Sequence, residues 1–158
     1  MRAAQGQART ARDARTPRID AGHRVTSQPI MPVHMSPAAP ILVVTKKLTG
    51  AELRAFKDRP FADMIKFVVD VRQKKIALGG EMHVDAEAVL LDQGSTQADL
   101  WGGNYFPGSK EAECIEYTSL INMRPAQDNT SMLVVNPEVR DAMRAIVFAL
   151  VGHGEPWS

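Results

Sequence analysis

The sequence predicts one small domain of the α/β class (α+β type), with helices on one face of a mixed, largely antiparallel sheet. Three observations predict it. Two β-rich runs, 64–71 and 76–82, flank a short basic turn. The β-rich runs come as adjacent pairs instead of alternating one by one with helices. A strongly periodic, well-capped helix closes the domain. The expected order is β-α-β-β-α-β-β-β-α.

The first expected strand is the β-branched run 41–45. Thr49 then opens a T-x-x-E capping box with Glu52, and Leu48 and Leu53 sit at the staple positions on either side. A helix over 50–58 follows, ended by Pro60. The next two strands form a hairpin around Arg72-Gln73-Lys74-Lys75. Placing Val71 opposite Ile76 puts Ile65, Phe67, Val69, Val71, Ile76, Leu78 and Met82 on one face. Lys66, Asp70, Ala77, Glu81 and His83 fall on the other, and Val68 is the main exception. Burying each large side chain contributes roughly 1.5–3 kcal/mol, which favours this sorting over a one-residue slip.

Asp85 has the character of an N-cap for a second helix running to about Gln93, with Val84 and Val89 as its staple and Gly94 beyond its end. Runs 100–106 and 114–122 are expected to form a second hairpin across the polar turn PGSKEAE, with Gly102 and Gly103 marking a bulge. A loop over 124–129 and a short strand over 131–135 precede the last helix. There Asn136 caps, Pro137 stands at the first position, and Val139, Ala142, Met143, Ile146, Val147 and Leu150 form the apolar stripe.

The domain is expected over 41–152, with a short C-terminal tail at 153–158. Residues 1–40 read as a tail rich in Arg, Ala, Gln, Pro and Ser without hydrophobic periodicity. It is consistent with an extension ahead of a start at Met31 or Met35, with a basic arm for nucleic acid, or with an Arg-rich transit peptide. The net charge of +1 is uneven: residues 1–30 hold six arginines against two aspartates, so the remainder is acidic overall. That excludes phosphate-backbone binding driven by the body of the domain. The lone Cys114 rules out an internal disulfide, and no apolar run approaches the roughly 18 residues of a membrane span. A cytoplasmic protein is the expectation, with homo-oligomerisation left open.

The segments IKFVVDV, GGEMHVDAE, DLWGGNYFP and SLINMRP, followed by the C-terminal helix, resemble a small bacterial family known only as a domain of unknown function. The resemblance spans about 41–151. It implies one compact bacterial domain and brings no reaction, substrate or cofactor with it.

Candidate chemistry lies in two places. Glu81, His83, Asp85 and Glu87 alternate as E-x-H-x-D-x-E, a donor set suited to a divalent metal or to acid/base work. Against this, Glu81 lies opposite Lys66 in the expected register, Asp85 is a cap, and Glu87 complements a helix dipole. The second place is SLINMRP, where Arg124 is suited to clamp a carboxylate or phosphate with Asn122 orienting it, or else to pair with Asp128 or Glu116. Gly79-Gly80 lacks the pattern of a nucleotide loop, and Trp101, Tyr105 and Phe106 read as a core strand. No nucleophile motif is present, and Cys114 has no basic neighbour to activate it. The leading expectation is therefore a binding or interaction module, with no catalytic residue assigned. Its ligand is a small anion or a protein partner, and His83, Asn122 and Arg124 converge on it. The alternatives are a metal-dependent hydrolase using Glu81, His83 and Asp85, and a nucleic-acid regulator using the basic tail.

Overall fold

A computed structural model of the protein describes residues 39–157. The readings of the basic tail fall on 1–40 and so lie almost wholly outside the described residues. Ala39 is already buried, and the Pro40 carbonyl accepts the Gly80 N–H at 3.1 Å.

Five strands form one sheet in the order β1-β3-β2-β4-β5, every neighbouring pair antiparallel. They are β1 (Ile41–Val44), β2 (Ile65–Asp70), β3 (Lys75–Gly79), β4 (Leu100–Tyr105) and β5 (Ile115–Glu116). Three α-helices join them: α1 (Gly50–Arg54), α2 (His83–Asp92) and α3 (Pro137–Leu150). The single α/β domain of the sequence reading is therefore present. The strand expected at 131–135 is not part of the sheet. It makes one bridge, Thr118 to Leu133, and sits in a loop held by side-chain amides.

Two of the three predicted caps, at Thr49 and Asn136, form where the residues dictated them. Thr49 Oγ1 accepts the Glu52 N–H at 3.2 Å, and Glu52 Oε2 accepts the Thr49 N–H at 2.8 Å, the reciprocal pair of a capping box. Asn136 Oδ1 accepts the Glu138 N–H at 2.9 Å with Pro137 in the first turn. Met143, Ile146, Val147 and Leu150 of α3 are buried, as their spacing requires.

The hairpin keeps its predicted faces but not its predicted partners. Val69 lies opposite Ile76 and Asp70 opposite Lys75, a slip of two residues. Side chains alternate with period two, so such a slip leaves every residue of β2 and β3 on its own face, whereas Met82, expected on the apolar face, lies beyond β3 and is exposed. Asp70 selects the register. It is fully buried, and Oδ1 accepts the Arg72 and Gln73 N–H groups at 3.0 and 2.8 Å while Oδ2 accepts the Ser95 hydroxyl at 2.6 Å.

Helices cover both faces of the sheet, not one. The larger core joins Ile65, Phe67, Val69, Ile76 and Leu78 to α3. A second core joins Val68, Ala77 and Leu100 to Ala86 and Leu90 of α2. Val68, the exception in the sorted hairpin, marked that second face. Gly102 and Gly103 also depart from expectation. They pair in register with Val68 and Phe67, without a bulge. They are glycine because of close approach: a Cβ at Gly103 would lie 2.5 Å from the Phe67 ring and 2.6 Å from the Glu116 carbonyl, and one at Gly102 2.8 Å from Ser119 Cβ.

The segment after α3 is part of the fold and not a loose tail. The Gly154 N–H donates to Tyr105 Oη at 2.9 Å, its carbonyl accepts the Gly108 N–H at 2.9 Å, and Trp157 packs on the larger core. Among the described residues no helix is long and apolar enough to cross a membrane.

Candidate functional site

The α2 face of the sheet carries an open cleft of about 560 Å³, a volume in the range of small-molecule sites. Its floor is one row of residues across three strands. Lys66 on β2 lies opposite Asn104 on β4, which lies opposite Glu116 on β5. One wall is the start of α2, with Met82 and His83. The other is the 3-10 turn around Leu120, with Ser119 below it and Met132 beside it.

His83 is the first residue of α2, because the helix begins there with Met82 as an N-cap that makes no side-chain bond. The expectation that Asp85 caps α2 is corrected. Asp85 lies inside the first turn, and Val84, its supposed staple residue, is exposed. The His83 ring is buried, and its Nε2–H donates to the Gly103 carbonyl at 2.8 Å. That bond leaves Nδ1 as the unprotonated nitrogen of a neutral ring. Burial pushes the His83 pKa below its ordinary 6.5. The Gly103 carbonyl opposes this, the Lys66 ammonium adds to it, and the Asn104 amide opposes it.

A test on stability follows from that direction. The unfolded chain takes up its His83 proton near pH 6.5 and the folded chain only at lower pH. In between, the unfolded state binds more protons, so His83's contribution to stability is present above pH 6.5 and is lost as pH falls through that window. Burial raises the Glu87 pKa above its ordinary 4.5 despite the pull of Arg124, so that group works in the opposite sense below its folded value. Urea unfolding midpoints compared at pH 7.5 and 5.5 should fall for the parent and fall less for His83→Gln. Equal falls in both would show that the buried imidazole is not the source.

Asn104 is the unusual floor residue. It is 7% exposed and its amide oxygen is buried without a hydrogen-bond partner. A buried acceptor left unpaired costs about 1–3 kcal/mol, and such atoms are rare in folded domains.

Of the residues expected to converge, only His83 and Glu81 line the cleft. Asn122 is fully buried behind it. Its Oδ1 accepts the Gly102 N–H at 2.8 Å, and its Nδ2 donates to the Gly102 and Met132 carbonyls at 2.9 and 3.0 Å. Arg124 is likewise engaged within the protein. It donates to the Ile121 carbonyl at 3.0 Å and to the Gln97 carbonyl at 2.7 Å, meets Glu87 at 3.4 Å, and lies 4.8 Å from the centre of the Trp101 ring. The Arg124–Glu87 pair replaces the pairings with Asp128 or Glu116 weighed from sequence. His83 and Glu87 share the inner face of α2 at i, i+4, yet the imidazole belongs to the cleft and the carboxylate to the scaffold.

The expected metal set does not assemble. Among the described residues no three His, Cys, Asp or Glu side chains converge on a point where an ion could sit. Glu81 is exposed on the bend before α2 and has no ion-pair partner in Lys66, because the β2–β3 register that pairs Phe67 with Leu78 is two residues away from the one that would set Lys66 against Glu81. Cys114 is buried, and burial raises its pKa, as expected of an inert thiol.

The sequence reading missed Asn104 and Glu116 as site residues, and it placed Lys66 only as a partner for Glu81. The signal that unites them is the pairing of β2, β4 and β5. A single sequence does not contain that pairing, because β4 and β5 are separated by a loop and β2 is distant from both in the chain.

Comparison with curated proteins and with solved structures gives no match. Comparison with families matches residues 42–150 to the family described as Protein of unknown function (DUF5674). That span runs from β1 to the end of α3 and so takes in every strand, every helix and the whole cleft. On these grounds the chain belongs to the DUF5674 family.

Proposed function

We propose that this domain is a cytoplasmic binding module whose site is the cleft beside the N-terminus of α2, and that it takes a small ligand bearing an acidic group. The observation that carries the reading is the Asn104 oxygen, buried and unpartnered in the cleft floor. Keeping such an amide in a floor lined by Met82, Leu120 and Met132 costs stability unless a ligand uses it. Lys66 supplies the positive charge for the acidic group. The first-turn N–H groups of α2, not capped by a side chain, add a favourable dipole on the same side. His83 in its neutral form offers Nδ1 as an acceptor. Asn122 and Arg124 serve by holding the wall around Leu120 in place. A single buried thiol and no activated nucleophile among the described residues suit a binding role in a reducing compartment.

The test is a titration of isotope-labelled protein with butyrate, a carboxylate with a short apolar chain. Amide shifts are expected at Lys66, His83, Asn104 and Ser119. Lys66→Met should weaken binding about tenfold, the worth of one charge-assisted contact, with the melting temperature held. Shifts confined to other surfaces, or a Lys66→Met variant that binds as well as the parent, would remove the cleft from consideration.

A further inference from the structure

The floor of the cleft carries opposite charges on either side of an amide. Lys66 and Glu116 are second neighbours across the sheet, with Asn104 between them. Adjacent strands lie about 4.8 Å apart, so the two backbones are separated by about 10 Å. Opposite charges in a sheet ordinarily stand directly across from each other and pair. Here they do not: the ion pairs among the described residues are Arg124–Glu87, Arg144–Asp141 and His153–Glu111. The Lys66 ammonium lies 5.4 Å from the centre of the Phe61 ring, and the Glu116 side chain is long enough to lean over the intervening amide, which can both donate and accept. The Asn104 oxygen is buried with no hydrogen-bond partner within the protein, so it is the acceptor of this row left for a ligand's donor.

The charge balance of the cleft adds a second constraint. Lys66 is opposed by Glu116 and by Glu81 at the rim, and the imidazole is neutral, so the lining is not cationic overall. A simple anion would gain from Lys66 and lose to two carboxylates. A ligand bearing both signs satisfies the whole row. Above the floor, Met82 and Leu120 are exposed by 57% and 67% and face the opening, with Met132 beside them. Methionine-rich rims adapt to flexible aliphatic groups.

Resting on the binding reading above, we infer that the cleft takes a zwitterion, specifically an α-amino acid with an aliphatic side chain. Its carboxylate lies toward Lys66 and the start of α2, and its ammonium toward Glu116. The Asn104 amide spans the two, and the side chain lies between Met82 and Leu120. Free peptide ends carry only one of the two charges and fit the row less well.

Calorimetric titration with leucine, N-acetylleucine and leucinamide tests the inference. N-acetylation removes the ammonium, and amidation removes the carboxylate. Leucine should bind at least about tenfold more tightly than either derivative, the worth of one charge-assisted hydrogen bond. Glu116→Gln should lower leucine affinity toward that of N-acetylleucine and should not weaken N-acetylleucine, an anion that the Glu116 carboxylate opposes. Glu116 is exposed at the short edge strand, so this variant should fold as the parent does. N-acetylleucine binding as tightly as leucine would overturn the zwitterion and leave the acidic-ligand reading standing. Leucinamide binding as tightly as leucine would overturn both, as would the absence of binding by all three.

Discussion

Arg124→Ala is expected to lower the stability of the domain by about 3–5 kcal/mol, the usual cost of stripping one partner from a buried ion pair. For a chain of this size that is a fall in melting temperature on the order of 10 °C. The Arg124 and Glu87 side chains are each only 10% exposed, so water replaces the missing partner only in part. Burial moves both groups toward their neutral forms, Glu87 upward and Arg124 downward, even though each draws the other toward charge. The pair is therefore costly to bury and costlier to break. The guanidinium also holds the Ile121 and Gln97 carbonyls, which tie the wall of the cleft to the segment leading into β4. Adding Glu87→Gln to Arg124→Ala should restore part of the loss, because the stranded carboxylate is then gone. A double-mutant cycle on urea unfolding should give a coupling of at least about 1 kcal/mol. An Arg124→Ala protein that unfolds like the parent would return Arg124 to the role read from sequence, a clamp held ready for a ligand.

Asn122→Ala should cost about 3 kcal/mol and loosen the middle of β4. β5 is only two residues long and pairs with Asn104 and Tyr105, so at Gly102 β4 has a strand on its β2 side and none on its β5 side. The Asn122 side chain fills that place. Its carbonyl accepts the Gly102 N–H and its amide donates to the Gly102 carbonyl, the same two bonds that a neighbouring strand would make. Removing the amide leaves both backbone groups buried and unpaired, at roughly 1–3 kcal/mol each. Asn122→Asp should not rescue, since a carboxylate cannot donate to the Gly102 and Met132 carbonyls. Hydrogen exchange at the Gly102 amide reports this directly, and it should become much faster in Asn122→Ala, where the oxygen that accepts that N–H is gone. Unchanged protection at Gly102 would show that the backbone finds another partner and that Asn122 is dispensable.

A second buried amide explains why the strand expected at 131–135 is absent from the sheet. Asn129 Nδ2 donates to the carbonyls of Asn122, Ser131 and Leu133, and Oδ1 accepts the Val135 N–H. The β-branched character of that run is real, but its backbone bonds are shared between Asn129 and the short segment 117–119, where the Met132 carbonyl accepts the Ser119 N–H and the Val134 N–H donates to the Tyr117 carbonyl. Side chains of this kind compete with ladders for backbone groups, and composition alone does not say which wins.

What could be read from the residues in order was whatever depends on near neighbours in the chain. The capping box at Thr49, the Asn136-Pro137 start of α3, the stripe that α3 buries and the two faces of the β2–β3 hairpin all rest on spacings of two to four residues. Pairing at longer range was decided by the tertiary structure. Asp70 selected one of two registers that alternation treats as equal. Val68, Ala77 and Leu100 made a second buried face that α2 had to cover. Arg124, exposed to any partner in the unfolded chain, went to a carboxylate on α2 and to backbone carbonyls. The row of Lys66, Asn104 and Glu116 exists only because β2, β4 and β5 lie side by side. The physical reason is the same throughout: local conformational preferences act within a few residues, whereas a site is made by the cross-strand and interlayer contacts that burial enforces.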